Sequence, residues 1–261
     1  MKGKLSTLAF VLILSTLIVS GCGTTTVPAA TPTEVAVEAP DVIVGSGNVV
    51  TEDRPVSDFN RVSLTSVGQV IITQGEGESL TVETDDNLMR YIKTEVKNGT
   101  LILGFTDEVK NKSIRPSERI VFNLSAKDIT ALDVSGAGDI NASSLDADRL
   151  EVVIGGAGDV DIGSLTADEL VVRISGAGDA ELAGQVVEQN IAISGAGDYR
   201  ATDLESQATI VEVSGAGDAT LWATDTLDVR ISGVGSVEYY GSPSVTQNIS
   251  GVGKLTSLGE P

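Results

Sequence analysis

The segment Ser135-Gly136-Ala137-Gly138-Asp139 recurs through the second half of the chain and decides its fold. Related segments begin at residues 155, 175, 194, 214, 232 and 250, so successive starts lie 20, 20, 19, 20, 18 and 18 residues apart. The last two carry Val in place of Ala and end in Ser236 and Lys254 instead of Asp. A fixed period near twenty residues predicts stacked units, because each unit can bury its apolar face only against the next one.

Apolar residues alternate with polar ones on both sides of each glycine segment, as in half-buried strands. Around the segment that begins at Gly155, the apolar positions are Leu150, Val152, Ile154, Val160, Ile162 and Leu165. Each unit therefore consists of a strand, a glycine turn, a second strand and a corner. We predict an all-β fold: a β-solenoid, similar to a parallel β-helix, whose successive coils pair in register.

The chain divides by composition into a leader, a linker and a head. Residues 1–21 resemble a signal peptide, and residues 22–41 are rich in Thr, Pro, Val and Ala, which predicts an extended, disordered tether. The head is predicted to span residues 42–258. Residues 42–125 form its less regular β-rich portion, and residues 126–258 contain the glycine repeats.

Three local predictions apply to the less regular portion. Asn98-Gly99, between two apolar runs, predicts a tight β-hairpin. Residues 86–91 are predicted to make one short helical turn. Residues 107–118 are charged and contain Pro116, so we predict a surface loop there.

The residues around the single cysteine predict a membrane anchor. Lys2 and Lys4 precede an apolar run shorter than a membrane span, and Val19-Ser20-Gly21-Cys22 resembles the lipobox of bacterial lipoproteins. That resemblance implies lipidation of the Cys22 thiol, cleavage before it and acylation of the new amino terminus. Two or more acyl chains give durable anchoring. The alternative is an ordinary secretory signal with a chance cysteine.

Composition excludes several classes of function. The net charge of −20 repels nucleic acid and anionic membrane surfaces, so we predict no nucleic-acid partner. The chain has no His, which rules out imidazole acid–base chemistry and His metal ligands. Aromatic residues make up only 3%, which fits a narrow interior built of thin layers.

Stacking brings the aspartates of the glycine segments into one column, and this column is the main candidate site. Its members are Asp139, Asp159, Asp179, Asp198 and Asp218. Like charges about 5 Å apart repel each other, so the carboxylates need compensation. Two sources are considered: hydrogen bonds from backbone N–H groups of the turns, or a ladder of hard cations such as Ca²⁺. The glycines themselves are predicted to adopt torsions that other residues reach only at a cost.

A second class of function is considered because some parallel β-helices are polysaccharide lyases or hydrolases. Such an enzyme would use outward carboxylates, and the outward charged positions are Glu151, Arg173, Glu212, Asp228 and Arg230 on one sheet and Asp161, Glu181, Arg200 and Glu238 on another. An ordinary solvated face also explains them. Trp222, Tyr239 and Tyr240 are candidates for a sugar-stacking platform, or for edge packing.

The head also resembles a known bacterial family. The resemblance rests on Gly45-Ser-Gly-Asn48, Gln69-Val-Ile-Ile-Thr-Gln-Gly75, Leu80-Thr-Val-Glu83, Tyr91-Ile-Lys-Thr-Glu-Val96 and the repeated Ser-Gly-Ala-Gly-Asp. Together these are similar to the head-GIN domain family of auto-transporter adhesins, over residues 44–258. The resemblance implies a secreted or surface-anchored solenoid-like domain without assigned catalytic residues. Many members have Gly-Asp where this chain has Gly68-Gln69.

The sequence therefore predicts an extracytoplasmic lipoprotein on the cell surface or the periplasmic side of the envelope. Its β-solenoid head is predicted to act as a binding or structural module, an adhesin, with no catalytic residues and no cofactor except Ca²⁺ in the aspartate column. The predicted partners are the membrane, through the lipid anchor, and a cell-surface glycan or protein. The alternative is a carbohydrate-active enzyme of the envelope.

Overall fold

The computed structural model describes residues 41–261, which contain nineteen strands and two short 3-10 helices. The predicted signal peptide, Cys22 and all of the tether except Asp41 lie outside the described residues. In the first portion the strands are β1 Val42–Val44, β2 Val49–Arg54, β3 Arg61–Leu64, β4 Gln69–Gln74, β5 Ser79–Asp85, β6 Ile92–Lys97, β7 Thr100–Phe105, β8 Ser113–Arg115 and β9 Val121–Ala126. The 3-10 helices are Met89–Tyr91 and Asp107–Val109.

The repeats fold into the remaining ten strands of the described part. These are β10 Ala131–Val134, β11 Asp139–Ala142, β12 Leu145–Ile154, β13 Val160–Ile174, β14 Ala180–Ile193, β15 Tyr199–Val213, β16 Ala219–Ile231, β17 Val234–Tyr240, β18 Ser244–Ile249 and β19 Val252–Gly259. No helix within residues 41–261 is long and apolar enough to cross a membrane.

Each coil has three walls, which we number from the glycine segment. The first wall holds the strand before the segment, the second wall the strand after it, and the third wall closes the coil. Strand β13 shows all three: residues 160–162 lie in the second wall, 165–167 in the third and 169–174 in the first. The predicted β-solenoid of stacked parallel coils is confirmed, because every neighbouring pair from β12 to β16 is parallel.

The core is a stack of apolar layers inside the coils. The six apolar positions around Gly155 are each no more than 3% exposed. Along the first wall, for example, Val152 pairs with Val172, and Val172 with Ile191. Burying one such side chain fully contributes about 1.5–3 kcal/mol, so the repeated columns supply the main driving force for folding.

The N-terminal end of the stack is less regular, as predicted. Strands β6 and β7 form an antiparallel hairpin, while β2 and β5 form an antiparallel pair that continues into β9. At the tip of the β6–β7 hairpin, Asn98 and Gly99 both have positive φ, 52° and 74°. This matches the tight turn that Asn-Gly favours.

Residues 107–118 are not only a loop, so that prediction was too simple. They contain the 3-10 helix Asp107–Val109 and the short strand β8, which pairs in parallel with β1. Strand β8 forms because the chain entering the head at β1 offers it unpaired main-chain groups. The predicted helical turn in residues 86–91 is confirmed as Met89–Tyr91.

The predicted reason for the repeated glycines was wrong. None of the glycines in the seven repeated segments that begin at residues 135 to 250 has a φ in the left-handed region. They are needed because successive coils approach closely: a Cβ on Gly178 would lie 2.8 Å from the carbonyl carbon of Gly158 and closer still to its oxygen. Main-chain bonds such as that from the N–H of Ala177 to the carbonyl of Gly156, at 2.9 Å, hold the coils at this spacing. The segments are therefore contact surfaces between coils.

A buried carboxylate fastens the chain where it enters the head. Asp85 is fully buried and accepts hydrogen bonds from the N–H of Gly47 (2.7 Å), the N–H of Ser117 (2.9 Å) and the hydroxyl of Ser117 (2.6 Å). Burial acts to raise the pKa of Asp85, but the hydrogen bonds from Ser117 and Gly47 lower it below its usual value. The charged form is therefore the one that the folded head stabilises.

We expect Asp85 to make the head sensitive to acid. Because its pKa is lowered on folding, its contribution is complete above the unfolded pKa of about 3.9 and disappears as the pH falls through the folded pKa. Asp85→Asn should cost about 1–3 kcal/mol at neutral pH and flatten the acid limb of a stability-against-pH curve. Denaturant unfolding at several pH values measures this. Asp53→Asn, at an exposed position, is the control, and equal behaviour of the two variants would contradict the assignment.

Candidate binding faces

The second wall presents two outward columns of side chains along the stack. The first column runs through Gln69, Asp139, Asp159, Asp179, Asp198, Asp218, Ser236 and Lys254. The second runs through Ile71, Asn141, Asp161, Glu181, Arg200, Thr220, Glu238 and Thr256. The structure thus brings the five predicted aspartates together, and Gln69 lies at their position at the N-terminal end of the column.

Seven of the eight carboxylates in these two columns form what we call the acidic face; the eighth, Glu238, lies nearer the C-terminal end. Its members are Asp139, Asp159, Asp161, Asp179, Glu181, Asp198 and Asp218. A shallow groove of about 260 Å³ runs along its N-terminal half, between Arg119 and Arg200. The sequence pattern predicted the aspartate column, but the neighbouring Asp161 and Glu181 join it only because the coils stack in register.

Backbone N–H groups compensate the aspartate column. The Oδ1 atom of each aspartate accepts a hydrogen bond from the N–H of the residue at the same position in the next coil. The distances are 3.2 Å for Asp139 to Asp159, 2.8 Å for Asp159 to Asp179, 2.8 Å for Asp179 to Asp198, 2.9 Å for Asp198 to Asp218 and 2.6 Å for Asp218 to Ser236. The column is therefore a continuous hydrogen-bonded ladder that ties coil to coil, and it stops at Ser236, which has no carboxylate.

Two arginines occupy part of the other side of the ladder. Arg119 lies 2.8 Å from the Oδ2 atom of Asp139, and Arg200 lies 2.7 Å from Asp179 Oδ2 and 3.1 Å from Asp198 Oδ2. Burial acts to raise the pKa of Asp179, but the N–H of Asp198 and the guanidinium of Arg200 lower it. Two guanidinium groups cannot neutralise seven carboxylates, so the acidic face keeps a negative potential.

The ladder should be sensitive to the shape of its acceptor as well as to its charge. Asp179→Ala removes the acceptor of the Asp198 N–H, whereas Asp179→Asn keeps an oxygen there and loses only the pairing with Arg200. We expect the Ala variant to lose about 1 kcal/mol of unfolding free energy and the Asn variant less than half of that. Chemical denaturation of the two variants measures these losses. Equal losses of unfolding free energy would mean that the hydrogen bond from the Asp198 N–H contributes nothing.

The cation ladder stays a prediction. Within residues 41–261 no group of three or more metal-binding side chains is placed to hold a metal ion. Asp159 and Asp218 have no ion-pair partner among the described residues, yet they lie three coils apart, about 14 Å at the usual strand spacing, too far to share one ion. Calcium would have to displace Arg119 or Arg200 to gather adjacent carboxylates. Thermal melts with Ca²⁺ and with chelator test it, because a native-state ligand must raise the midpoint.

Two of the outward carboxylates predicted on the first wall lie in ion pairs with outward arginines. Glu151 is paired with Arg173, and Asp228 lies 2.5 Å from Arg230. These observations give no support to the alternative of a carbohydrate-active enzyme.

The three aromatic residues near the C-terminal end do not share one surface. Trp222 and Tyr240 are half-buried and pair across β16 and β17. Tyr239 packs against the core instead. Edge packing therefore accounts for these residues better than a stacking platform for sugars.

Comparison with known proteins agrees with this architecture. The family described as "Putative auto-transporter adhesin, head GIN domain" matches residues 58–243, so the chain belongs to the head-GIN domain family. A crystal structure of a "putative adhesin" from Bacteroides fragilis NCTC 9343 is similar, at 30% identity with a TM-score of 0.77. The similarity covers 83% of this chain and 100% of that one.

Two crystal structures from Parabacteroides distasonis ATCC 8503 share the fold. One is described as a "putative adhesin", with 23% identity, a TM-score of 0.65 and coverage of 84% of this chain and 100% of that one. The other is described as a "putative lipid binding protein", with 24% identity, a TM-score of 0.68 and the same coverage. Among curated proteins, no match was found.

Proposed function

We propose that this protein is a lipid-anchored adhesin of the bacterial envelope and that the acidic face is its contact surface. The observation that carries the proposal is the acidic face itself, whose seven carboxylates are offset by only two guanidinium groups. A partner with cationic groups, on a surface protein or glycan of a neighbouring cell, would complement this wall. Complementary charge steers such encounters and sets their specificity.

The rigidity of the wall supports the proposal. The aspartates are tied to the main chain of the next coil, so their carboxylates keep fixed positions. A partner that binds them loses little freedom in the adhesin, and this preorganisation favours affinity. Asp161 and Glu181 lie outside the ladder on the same wall and are exposed, so their charges are free for a partner.

The test of the acidic face uses the head expressed as residues 41–261. Asp161→Asn with Glu181→Gln removes two charges without touching the ladder. Exposed ion pairs contribute up to about 1 kcal/mol each, so we expect binding to whole target cells to weaken about tenfold and to weaken further with added salt. The matched control is Glu188→Gln with Glu212→Gln, at exposed positions off this wall.

Two results would overturn the acidic face as the contact surface. One is unchanged binding by the Asp161→Asn, Glu181→Gln variant. The other is an equal loss in the control, which would mean that only the overall charge matters. Pre-treating the target cells with protease or with glycosidases then identifies whether the cationic partner is a protein or a glycan.

The anchor is tested separately at Cys22. The motif Val19-Ser20-Gly21-Cys22 supports lipidation at the only thiol in the chain. Expressed as the full chain in a bacterial host, the protein should incorporate labelled fatty acid and partition with membranes, and Cys22→Ala should abolish both. A labelled Cys22→Ala variant, or an unlabelled wild type, would contradict the proposed anchor.

A further inference from the structure

We propose that the C-terminal end of the stack binds a second copy of this chain, end to end. The contact surface is the end coil, which consists of β18 and β19. Strand β18 pairs only with β16, and β19 only with β17. Within residues 41–261 the outer edges of both strands are therefore unpaired, and each presents main-chain donors and acceptors that another strand can use.

The apolar core continues into the end coil and is uncovered there. In the preceding coil the inward residues Leu227, Val229 and Ile231 are at most 1% exposed. Their partners on β18 include Val245 and Ile249, which are 38% and 37% exposed. The other exposed large apolar side chains at this end are Val234, Val252 and Leu258, at 58%, 77% and 40%. Such a concentration of exposed apolar residues marks an interaction surface.

The charge of this end favours a second copy over other occupants. The whole chain carries −20, yet residues 234–261 contain only two acidic residues, Glu238 and Glu260, and one basic residue, Lys254. A twofold contact presents the same patch on both partners, so a patch of a single sign would repel itself. The end of the aspartate column at Ser236 and Lys254 removes that repulsion where two copies would meet.

The geometry of the edge also fits a twofold contact. A twofold axis perpendicular to the stack, through the first wall, places β18 of one copy antiparallel to β18 of the other. Antiparallel strands exchange complete sets of main-chain hydrogen bonds. The same operation covers Val245 and Ile249 with their equivalents. One contact thus pairs the open edge of β18 and covers the open core beside it.

The opposite end of the stack is protected, so the expected assembly is a closed dimer. The outer strand of the first wall there is β6, with Lys93, Glu95 and Lys97, and that of the second wall is β2, with Glu52, Asp53 and Arg54. Charged edge strands resist pairing with another chain. Head-to-tail stacking into fibres would need edge strands at this end that accept another strand, and the charged side chains of β6 and β2 disfavour that pairing.

The twofold contact would also place the N-terminal entry points of the two copies far apart. The chain enters the head at Asp41, next to β1 and β2, at the end of the stack away from the end coil. In the dimer the two entry points lie at opposite extremes. If the chain is anchored at Cys22, a step that rests on the proposed function, this contact joins copies from facing membranes and adds a homophilic contact to the one that the acidic face makes with its cationic partner.

The first test is the mass of the head in solution. We expect residues 41–261 to sediment as a dimer. The double variant Ile249→Lys, Val252→Lys should sediment as a monomer, because its dissociation constant for the dimer should be at least tenfold higher. The controls are Val187→Lys and Ile210→Lys, which carry the same change at exposed positions on the sides of the stack. A wild-type monomer, or a dimer that persists in the end-coil variant, would overturn the proposal.

The second test is a cross-link that reports the twofold axis. Residues 41–261 contain no cysteine, so Gln247→Cys in the middle of β18 introduces a single thiol. Mild oxidation should give a disulfide dimer at protein concentrations where Val187→Cys gives none. Equal cross-linking of the two variants would show random collision and contradict the contact.

Two further arms separate this inference from the proposed function. The Asp161→Asn, Glu181→Gln head should dimerise like the wild type, so a failure of the acidic face leaves the dimer measurable. The longer chain from residue 22, carrying Cys22→Ser, should dimerise as the head does. A monomeric longer chain beside a dimeric head would overturn the proposal, because the N-terminal segment would then cover the end coil.

Discussion

Gly178→Ala is expected to destabilise the head by at least about 4 kcal/mol, the range reached only by severe steric or packing defects. The added Cβ would meet the carbonyl group of Gly158 in the neighbouring coil, with its carbon at 2.8 Å and its oxygen closer. Neither atom belongs to a flexible side chain, so the clash can be relieved only by moving two coils apart. That movement would break the main-chain bonds of the segment, such as Ala177 N–H to Gly156 O at 2.9 Å.

The matched control for this prediction is Gly75→Ala. A Cβ on Gly75 would meet nothing within 4 Å, and its φ is not in the left-handed region. The unfolding free energy of the Gly75→Ala variant should stay within about 0.5 kcal/mol of the wild-type value, as is usual for surface changes. Denaturant unfolding followed by circular dichroism measures both variants. Equal stabilities would mean that the coils are not packed as closely as described.

Gln189→Ala should cost about 3 kcal/mol, because it dismantles a buried polar cluster. The Gln189 side chain is 2% exposed and accepts a hydrogen bond from the Tyr199 hydroxyl at 2.8 Å. It donates to Ser206 Oγ at 2.7 Å and to Thr209 Oγ1 at 3.1 Å. Removing it leaves the Tyr199 hydroxyl buried without this partner and opens a cavity beside it. An unsatisfied buried polar group costs about 1–3 kcal/mol, and the cavity adds to that.

Two comparisons make the Gln189 prediction specific. Gln185→Ala changes the same residue type on the same strand at an exposed position and should be nearly neutral. Tyr199→Phe removes only the hydroxyl that donates to Gln189 and should cost about 1–2 kcal/mol. Burial raises the pKa of Tyr199, so its hydroxyl should stay protonated into strong alkali, which absorbance titration measures. If Gln189→Ala matches Gln185→Ala, the cluster does not stabilise the head.

The stacked architecture follows from the sequence because its signal is repeated. The alternation around each glycine segment assigns inward and outward positions, and the period aligns them from coil to coil. Residues such as Val152 and Ile162 could therefore be placed in the core without coordinates. The alternation also assigned the outward charges, including Asp161 and Glu181, to their walls.

The polar cluster could not be predicted, because it depends on which residues become neighbours across coils. Tyr199 occupies a core column in which the adjacent coils have Ala180 and Ala219. These two small residues leave room for a ring, but this becomes visible only when the register is known. Polar residues such as Gln189 and Ser206 are usually found at the surface. Their burial is favourable here only because the cluster satisfies their hydrogen bonds.

The glycines were located correctly but for the wrong reason. Sequence patterns describe local torsions, whereas the constraint at Gly178 is a distance to another coil. The same limit applies to the candidate site. The aspartate column was predicted from the period, and the alternation placed Arg200 on an outward face, but the pairing of Arg200 with Asp179 and Asp198, and of Arg119 with Asp139, carries no repeated signal.

The central claim is that an anchored head adheres through its acidic face. Its most direct test measures how many living cells that display the protein attach to target cells under flow. Cells that display the full chain should attach to target cells. Cells with Cys22→Ala should not attach, and cells with Asp161→Asn and Glu181→Gln should attach about tenfold less, the equivalent of about 1.4 kcal/mol. Cells with the Glu188→Gln, Glu212→Gln control should attach like the wild type. Undiminished adhesion by cells that display the Asp161→Asn, Glu181→Gln head at normal levels would contradict the account.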